Sequence, residues 1–196
     1  KIFMSRETDI KLLMDDWEEK HNNNGYKRFI RDGIVCEKKW EAQHTPRVCY
    51  FLKEAYTSNE NGYNLVEDLH DCERPWTMWR KVAIWTQAIY NAFNDNICEY
   101  DDEVLRSKEK AIIDRIAVVN VKKSNGGSES EYEDLKKYAI EDRLEIKREL
   151  EIIQPDIIVC GNNLSLLKLV LGEELQNDDT WDNMLALWKD TLVLDY

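Results

Sequence analysis

The sequence predicts an α/β fold of three layers (α/β/α), in which helices cover both faces of a central, mostly parallel, four-stranded sheet. Short apolar runs without in-and-out alternation are typical of strands buried on both faces, and they occur at Arg47–Leu52, Arg115–Val121, Asp156–Cys160 and Thr191–Leu194. Segments with helical spacing lie between these runs, and strands that alternate with helices form parallel βαβ units. The length of 196 residues, 43% of them hydrophobic, suits one domain with a real core.

The other elements follow from spacing and from breaker residues. Apolar residues recur at helical spacing in Glu7–Lys20, so residues 1–46 are expected to form a helical extension packed on a single domain that spans 1–196. Polar stretches rich in Asn and Gly are predicted to be loops, at Lys53–Asp71 and Lys122–Ser130. Further helices are predicted at Trp76–Phe93, Ser107–Asp114, Glu131–Ile153, Leu164–Leu171 and Trp181–Trp188.

Composition narrows the classes of function. Five widely spaced cysteines without a C-x-x-C pair, and three histidines without ligand spacing, argue against a disulfide framework and a metal site, so no metal is expected. No apolar stretch is long enough for a membrane span and no signal peptide is visible, which together favour the cytoplasm. The net charge of −12 argues against tight non-specific DNA binding but is compatible with a local basic mouth on an acidic body.

Candidate site residues follow the predicted strands, because parallel α/β sheets bind ligands at the carboxyl ends of their strands. After the first strand come Lys53, Glu54 and Tyr56. A carboxylate there can orient a water molecule as a general base, and the tyrosine can form the wall of a pocket for a flat ligand. A solvent-facing Lys–Glu pair is the competing interpretation.

The second and third strands end in further polar residues. Asn120 closes an apolar run, and its amide can read the edge of a base or simply cap a turn. Lys122 and Lys123 suit a phosphate contact or an ordinary solvated surface. The Gly161-Asn162 turn opens a helix whose backbone N–H groups could bind an anion, with Asn163 as its N-cap if the turn is only structural.

The order of these segments resembles the uracil-DNA glycosylase superfamily over roughly residues 47–196. That family has a Gly-Gln-Asp-Pro-Tyr type motif after its first strand, where this chain reads Leu-Lys-Glu-Ala-Tyr. The resemblance puts Glu54 at the position of the water-activating Asp, Tyr56 at the aromatic pocket wall and Asn120 at the residue that binds the flipped base. The run IIQPDIIVCGNN is similar to the strand and helix start behind the family's site.

The resemblance implies a DNA glycosylase with DNA as its partner, which hydrolyses the N-glycosidic bond of a flipped base and needs no cofactor. The stretch RVCYFLKEAY, with the preceding FIRDG, also resembles a bacterial branch that removes a modified base from phage DNA. The family's His-Pro-Ser-like motif would follow Tyr196, so a C-terminal segment is expected beyond the sequence given. Two alternatives stay open: a glycosylase-fold module that binds DNA or protein without catalysis, and a nucleotide-processing α/β enzyme.

Overall fold

A computed structural model describes residues 5–56, 61–73, 77–96, 102–126, 130–178 and 184–195. Its helices are α1 (Arg6–Asn23), α2 (Glu37–Ala42), α3 (Leu65–Asp71), α4 (Thr77–Phe93), α5 (Asp102–Arg106), α6 (Glu109–Ile113), α7 (Tyr132–Glu141), α8 (Arg143–Ile153) and α9 (Leu164–Leu171). Its strands are β1 (Ile30–Arg31), β2 (Gly33–Ile34), β3 (Val48–Glu54), β4 (Tyr63–Asn64), β5 (Ala117–Lys122), β6 (Ile157–Cys160), β7 (Leu175–Asp178), β8 (Leu185–Trp188) and β9 (Thr191–Asp195).

The fold is mixed α/β, and its main sheet has seven strands in the order β2-β5-β3-β6-β9-β8-β7. The four strands predicted from the sequence are β3, β5, β6 and β9. They lie side by side in the middle of the sheet and run parallel. The predicted strand number of four is wrong, because β2 pairs antiparallel with β5 and the β7–β8 hairpin extends the sheet antiparallel beyond β9.

Alternate residues of β3 belong to two separate hydrophobic clusters. Cys49 and Phe51 pack in a cluster that includes residues of α1, α7, α8 and α9, whereas Val48 and Tyr50 pack with residues of α3, α4 and α6. Because successive side chains of a strand point to opposite faces, the two clusters lie on opposite sides of β3. The Tyr50 hydroxyl reaches 2.8 Å from the Thr86 hydroxyl, which satisfies this polar group inside the second cluster.

Three predicted elements are wrong. The predicted helix Trp181–Trp188 contains strand β8, in which Ala186 and Trp188 are buried while Leu187 is exposed, the alternation of a half-buried strand. Residues 181–183 lie outside the described residues. The predicted loop Lys53–Asp71 contains helix α3, whose N-cap Asn64 accepts hydrogen bonds from two backbone N–H groups.

The predicted long helix Glu131–Ile153 is two helices that meet at Asp142. This aspartate is buried and accepts a hydrogen bond of 3.0 Å from Lys20, and it lies 2.7 Å from a ring nitrogen of His21. The polar contacts to α1 therefore hold the point at which the chain leaves α7 and enters α8. Among the described helices, none has the length and apolar character needed to cross a membrane.

Candidate active site at the carboxyl edge of the sheet

Glu54 is the last residue of β3 and lies opposite Lys122, the last residue of β5. Its side chain is only 7% exposed, and Oε2 lies 3.3 Å from the Lys122 ammonium. The same ammonium donates a hydrogen bond of 2.6 Å to Asp134 in the first turn of α7. The carboxyl edge of the two central strands thus carries one cation between two carboxylates.

The charge of Lys122 is secured by these two contacts. Burial by itself lowers the pKa of this ammonium, but the hydrogen bond to Asp134 and the charge of Glu54 outweigh burial, so the pKa of Lys122 is raised. Lys122 therefore stays protonated at neutral pH, and its charge is shared between the two carboxylates.

A glycine holds the Glu54 carboxylate in place from the opposite side. The backbone N–H of Gly126 donates a hydrogen bond of 2.9 Å to the carbonyl of Ala55. A Cβ atom at position 126 would lie 2.5 Å from Cδ of Glu54, closer than real Cβ contacts come. The carboxylate consequently rests against bare backbone.

Tyr56 and Lys53 flank Glu54 in the chain. Tyr56 is 67% exposed, so its ring is accessible for stacking, and Lys53 is half-buried. Residues 57–60 and 127–129, which follow Tyr56 and Gly126 in the chain, lie outside the described residues.

Asn120 lies inside β5, two residues before its end, rather than at the strand terminus. Its backbone N–H and its side-chain Nδ2 both donate to Oδ2 of Asp32, at 2.7 and 2.9 Å. The side chain is buried, and its amide nitrogen is directed to Asp32. Sequence analysis did not single out Asp32, because the contact joins positions 88 residues apart.

Both interpretations of Lys123, a phosphate contact and a solvated surface, are wrong. The side chain has no exposed surface and forms ion pairs with Asp32 and with Glu149 of α8, where Nζ lies 2.8 Å from Oε2. The carbonyl of Lys123 accepts a hydrogen bond from the backbone N–H of Ile30 in β1, so the main chain here pairs with the segment that also carries Asp32. No local signal separates this lysine from its neighbour Lys122.

The turn after β6 reaches the same edge. The Gly161 N–H donates to the carbonyl of Phe51 on β3 at 3.3 Å, and Asn162 is exposed with a left-handed φ of 54°. Asn163 occupies the N-cap position of α9, but its side chain makes no capping hydrogen bond. Its backbone N–H donates instead to Oδ1 of Asp195, at the end of β9, at 3.2 Å.

At the carboxyl edge Glu54 lies opposite Lys122, while the Gly161 turn and Asn120 lie on either side of Leu52, two residues deeper on β3. Among the residues that the structure describes, no group of three metal-binding side chains comes together. A nearly buried carboxylate beside a protonated amine can orient water and balance charge that develops on a leaving group.

The chain was compared with protein-family models, with curated proteins and with solved structures, and none of them matches it.

Proposed function

We propose that this protein is a DNA glycosylase that hydrolyses the N-glycosidic bond of a flipped, modified base. The observation that carries the proposal is the Glu54 carboxylate, which is 7% exposed at the carboxyl edge of a parallel sheet. The resemblance to the uracil-DNA glycosylase superfamily assigns the water-orienting acid to this residue. We also propose that the protein has the family's three-layer arrangement and acts, like the bacterial branch, on phage DNA.

In the proposed reaction, Glu54 orients a water molecule toward C1′ of the sugar. The C1′–N bond breaks with its electron pair going to the base, and the water oxygen bonds to C1′. The released proton goes to the departing base. Negative charge grows on that base as the bond breaks. The Lys122 ammonium, 3.3 Å from the carboxylate that orients the water, would stabilise this charge on the base.

The residues around Glu54 suit an extruded base. The exposed ring of Tyr56 offers a stacking surface, which a base taken out of the duplex needs in place of its neighbours. Lys53 and the Gly161-Asn162 turn would contact the sugar–phosphate backbone. These proposed contacts with the sugar–phosphate backbone are few and local. They therefore do not require the basic surface of a tight non-specific DNA-binding protein, which a chain with a net charge of −12 lacks.

The test is to incubate the protein with DNA duplexes and single strands that each carry one modified base, and to measure abasic sites. Glu54→Gln keeps the shape of the side chain but removes its charge, so we expect base release to fall by about a hundredfold or more while DNA affinity is retained. The matched control is Glu133→Gln on α7, whose side chain is 73% exposed. Equal rates for wild type and Glu54→Gln would remove Glu54 from the mechanism.

One feature of the site favours a second candidate, a module that binds DNA or protein without catalysis. The amide nitrogen of Asn120, which a glycosylase would use on the base, already donates to Asp32. This candidate predicts that wild type binds DNA carrying a modified base but releases no base from any of the substrates tested.

A further inference from the structure

Three charged side chains meet in the interior of the protein, away from the carboxyl edge. Lys123 contacts the carboxylate of Asp32, and its Nζ lies 2.8 Å from Oε2 of Glu149, while none of the three side chains has any exposed surface. Nζ also lies 4.8 Å from the centre of the Trp17 ring. A primary amine is therefore held against one carboxyl group and beside a second one, in surroundings that exclude water.

The far oxygen of Asp32 is held by two N–H groups. The backbone N–H and Nδ2 of Asn120 donate to Oδ2 at 2.7 and 2.9 Å, whereas Lys123 contacts Oδ1. Two donors on one carboxyl oxygen stabilise the negative charge that grows there when a nucleophile adds to the carboxyl carbon. The cluster thus contains a nucleophilic amine, an acyl group and an oxyanion hole, which are the parts that acyl transfer requires.

We propose that Lys123 and Asp32 condense to form an intramolecular amide, with Glu149 as the proton carrier. One proton passes from the ammonium to Asp32, so that a neutral amine faces a neutral carboxylic acid. Nζ then bonds to Cγ of Asp32. Glu149 gives its proton to the Oδ1 hydroxyl and takes one from Nζ, and the Cγ–Oδ1 bond breaks with its electron pair going to the oxygen. One water molecule leaves, and the reaction involves no oxidation.

The surroundings favour each of these steps. Burial and the charge of Asp32 raise the pKa of Glu149, so this carboxyl holds the proton that it must give. Its Oε1 is buried without a hydrogen-bond partner among the described residues and is therefore open to carry that proton. A buried ion pair lacks the hydration that stabilises it in water, which lowers the cost of passing a proton from the amine to the acid. Since amine and acid are already in contact, no entropy of encounter is lost.

The amide would fasten a part of the sheet that has few hydrogen bonds of its own. Asp32 stands between β1 and β2, which have two residues each, and Lys123 directly follows β5. A bond between positions 91 residues apart restricts the unfolded chain and holds the edge strand β2 on β5. This role is independent of the proposed function, because the cluster includes neither Glu54 nor Lys122.

The experiment follows the mass of the denatured full chain at intervals after cell-free synthesis. We expect wild type to lose the mass of one water molecule, and a tryptic digest to give one pair of peptides joined through Asp32 and Lys123. Glu149→Gln should slow the loss by about a hundredfold or more, because glutamine cannot carry the proton. Glu151→Gln, at a partly exposed site on the same helix, is the matched control and should lose water at the wild-type rate.

A wild-type mass that stays equal to the mass of the sequence would overturn the inference. Loss of water without a joined pair of peptides would also reject it, because an Asp–Gly sequence can lose water by forming a succinimide between Asp32 and the backbone nitrogen of Gly33. Lys123→Arg, whose guanidinium stays protonated, should keep the full mass, and its loss of water would place the reaction elsewhere. Equal rates for wild type and Glu149→Gln would contradict the proposed proton transfer.

Discussion

Lys123 Nζ lies 2.8 Å from Oε2 of Glu149, and neither side chain has any exposed surface. Asp32, equally buried, contacts the same ammonium. Burial raises the pKa of Glu149 well above its usual range, the negative charge of Asp32 raises it further, and Lys123 lowers it without cancelling these effects. The pKa of Lys123 is also raised, since the two carboxylates outweigh its burial. A proton on Glu149 leaves the three groups without net charge.

The raised pKa of Glu149 predicts a loss of stability as pH increases. Below the ordinary value of 4.5, the carboxyl is protonated in both folded and unfolded chains. Above pH 4.5, the carboxyl loses its proton in the unfolded chain but keeps it in the folded chain. The free energy of unfolding of wild type therefore falls by up to about 1.4 kcal/mol per pH unit until the pH passes the folded-state pKa. Glu149→Gln should gain stability relative to wild type over the same pH range, as measured by urea unfolding.

The control for this measurement is Glu151→Gln, on the same helix but at a partly exposed site. Its stability relative to wild type should change by no more than a few tenths of a kcal/mol across the range, because surface ion pairs contribute little. A flat difference for Glu149→Gln as well would show that the buried carboxyl is ionised in the folded protein near its ordinary pKa.

Removing the ammonium should be much more damaging than removing one carboxyl. Lys123→Met leaves Asp32 and Glu149 buried without a cation, and breaking a buried ion pair in this way destabilises a protein by about 3 to 5 kcal/mol. Combining it with Glu149→Gln should be less harmful than the sum of the two single changes, because the residues act as one network. Additive losses in equilibrium unfolding would contradict the shared network.

The central strands were predictable from the sequence, and the charged cluster was not. The run Ile157–Cys160 is apolar at every position, which by itself indicates a buried strand, whereas the partners of Lys123 lie 91 and 26 positions away. Strand β2 has only two residues, so its pattern carries no periodicity. Glu54 was identified as a candidate because parallel sheets bind ligands at the carboxyl ends of their strands, and applying this rule requires only the position of the strand. The contact of Glu54 with Gly126 depends instead on how two segments that are distant in the sequence pack together.

Gly126→Ala tests the positioning of Glu54. The new methyl group would lie 2.5 Å from Cδ of Glu54, whose side chain can swing away, so the fold should survive while the carboxylate moves. A displacement of about 1 Å can lower a rate by about a hundredfold, and we expect a loss of that order in single-turnover base release. Ser130→Ala, at an exposed position four residues further along the chain, is the control. Equal rates for the two variants would mean that Glu54 does not need its observed position.

A pair of glycines tests the packing beside the two-stranded sheet in which β1 pairs parallel with β4. Gly62 and Gly25 both have left-handed φ angles, 75° and 79°, which disfavour alanine by about 1 to 2 kcal/mol. At Gly62 the Cβ would also lie 1.9 Å from the backbone carbonyl oxygen of Phe29, whereas nothing lies within 4 Å at Gly25. Gly62→Ala should therefore lower the free energy of unfolding by about 3 kcal/mol or more. Denaturant titrations that give equal losses for Gly62→Ala and Gly25→Ala would contradict this packing.

The contact between Asn120 and Asp32 can be tested by charge. Asn120→Asp replaces the donor Nδ2, 2.9 Å from Asp32 Oδ2, by an oxygen, so two buried carboxyl groups face each other. The mutual repulsion and the burial raise the folded-state pKa of the new group above its unfolded value of about 3.9. Its relative stability is then highest below that value and is lost as pH rises through the folded pKa. The stability of Asn120→Asp should approach that of wild type near pH 4 and fall furthest below it near pH 7, by several kcal/mol in the free energy of unfolding.

Asn120→Leu, which has no charge, is the control, and its deficit in the free energy of unfolding should not change with pH. If the deficit of Asn120→Asp were also independent of pH, the amide of Asn120 would not face Asp32, and it would again be available to bind a base.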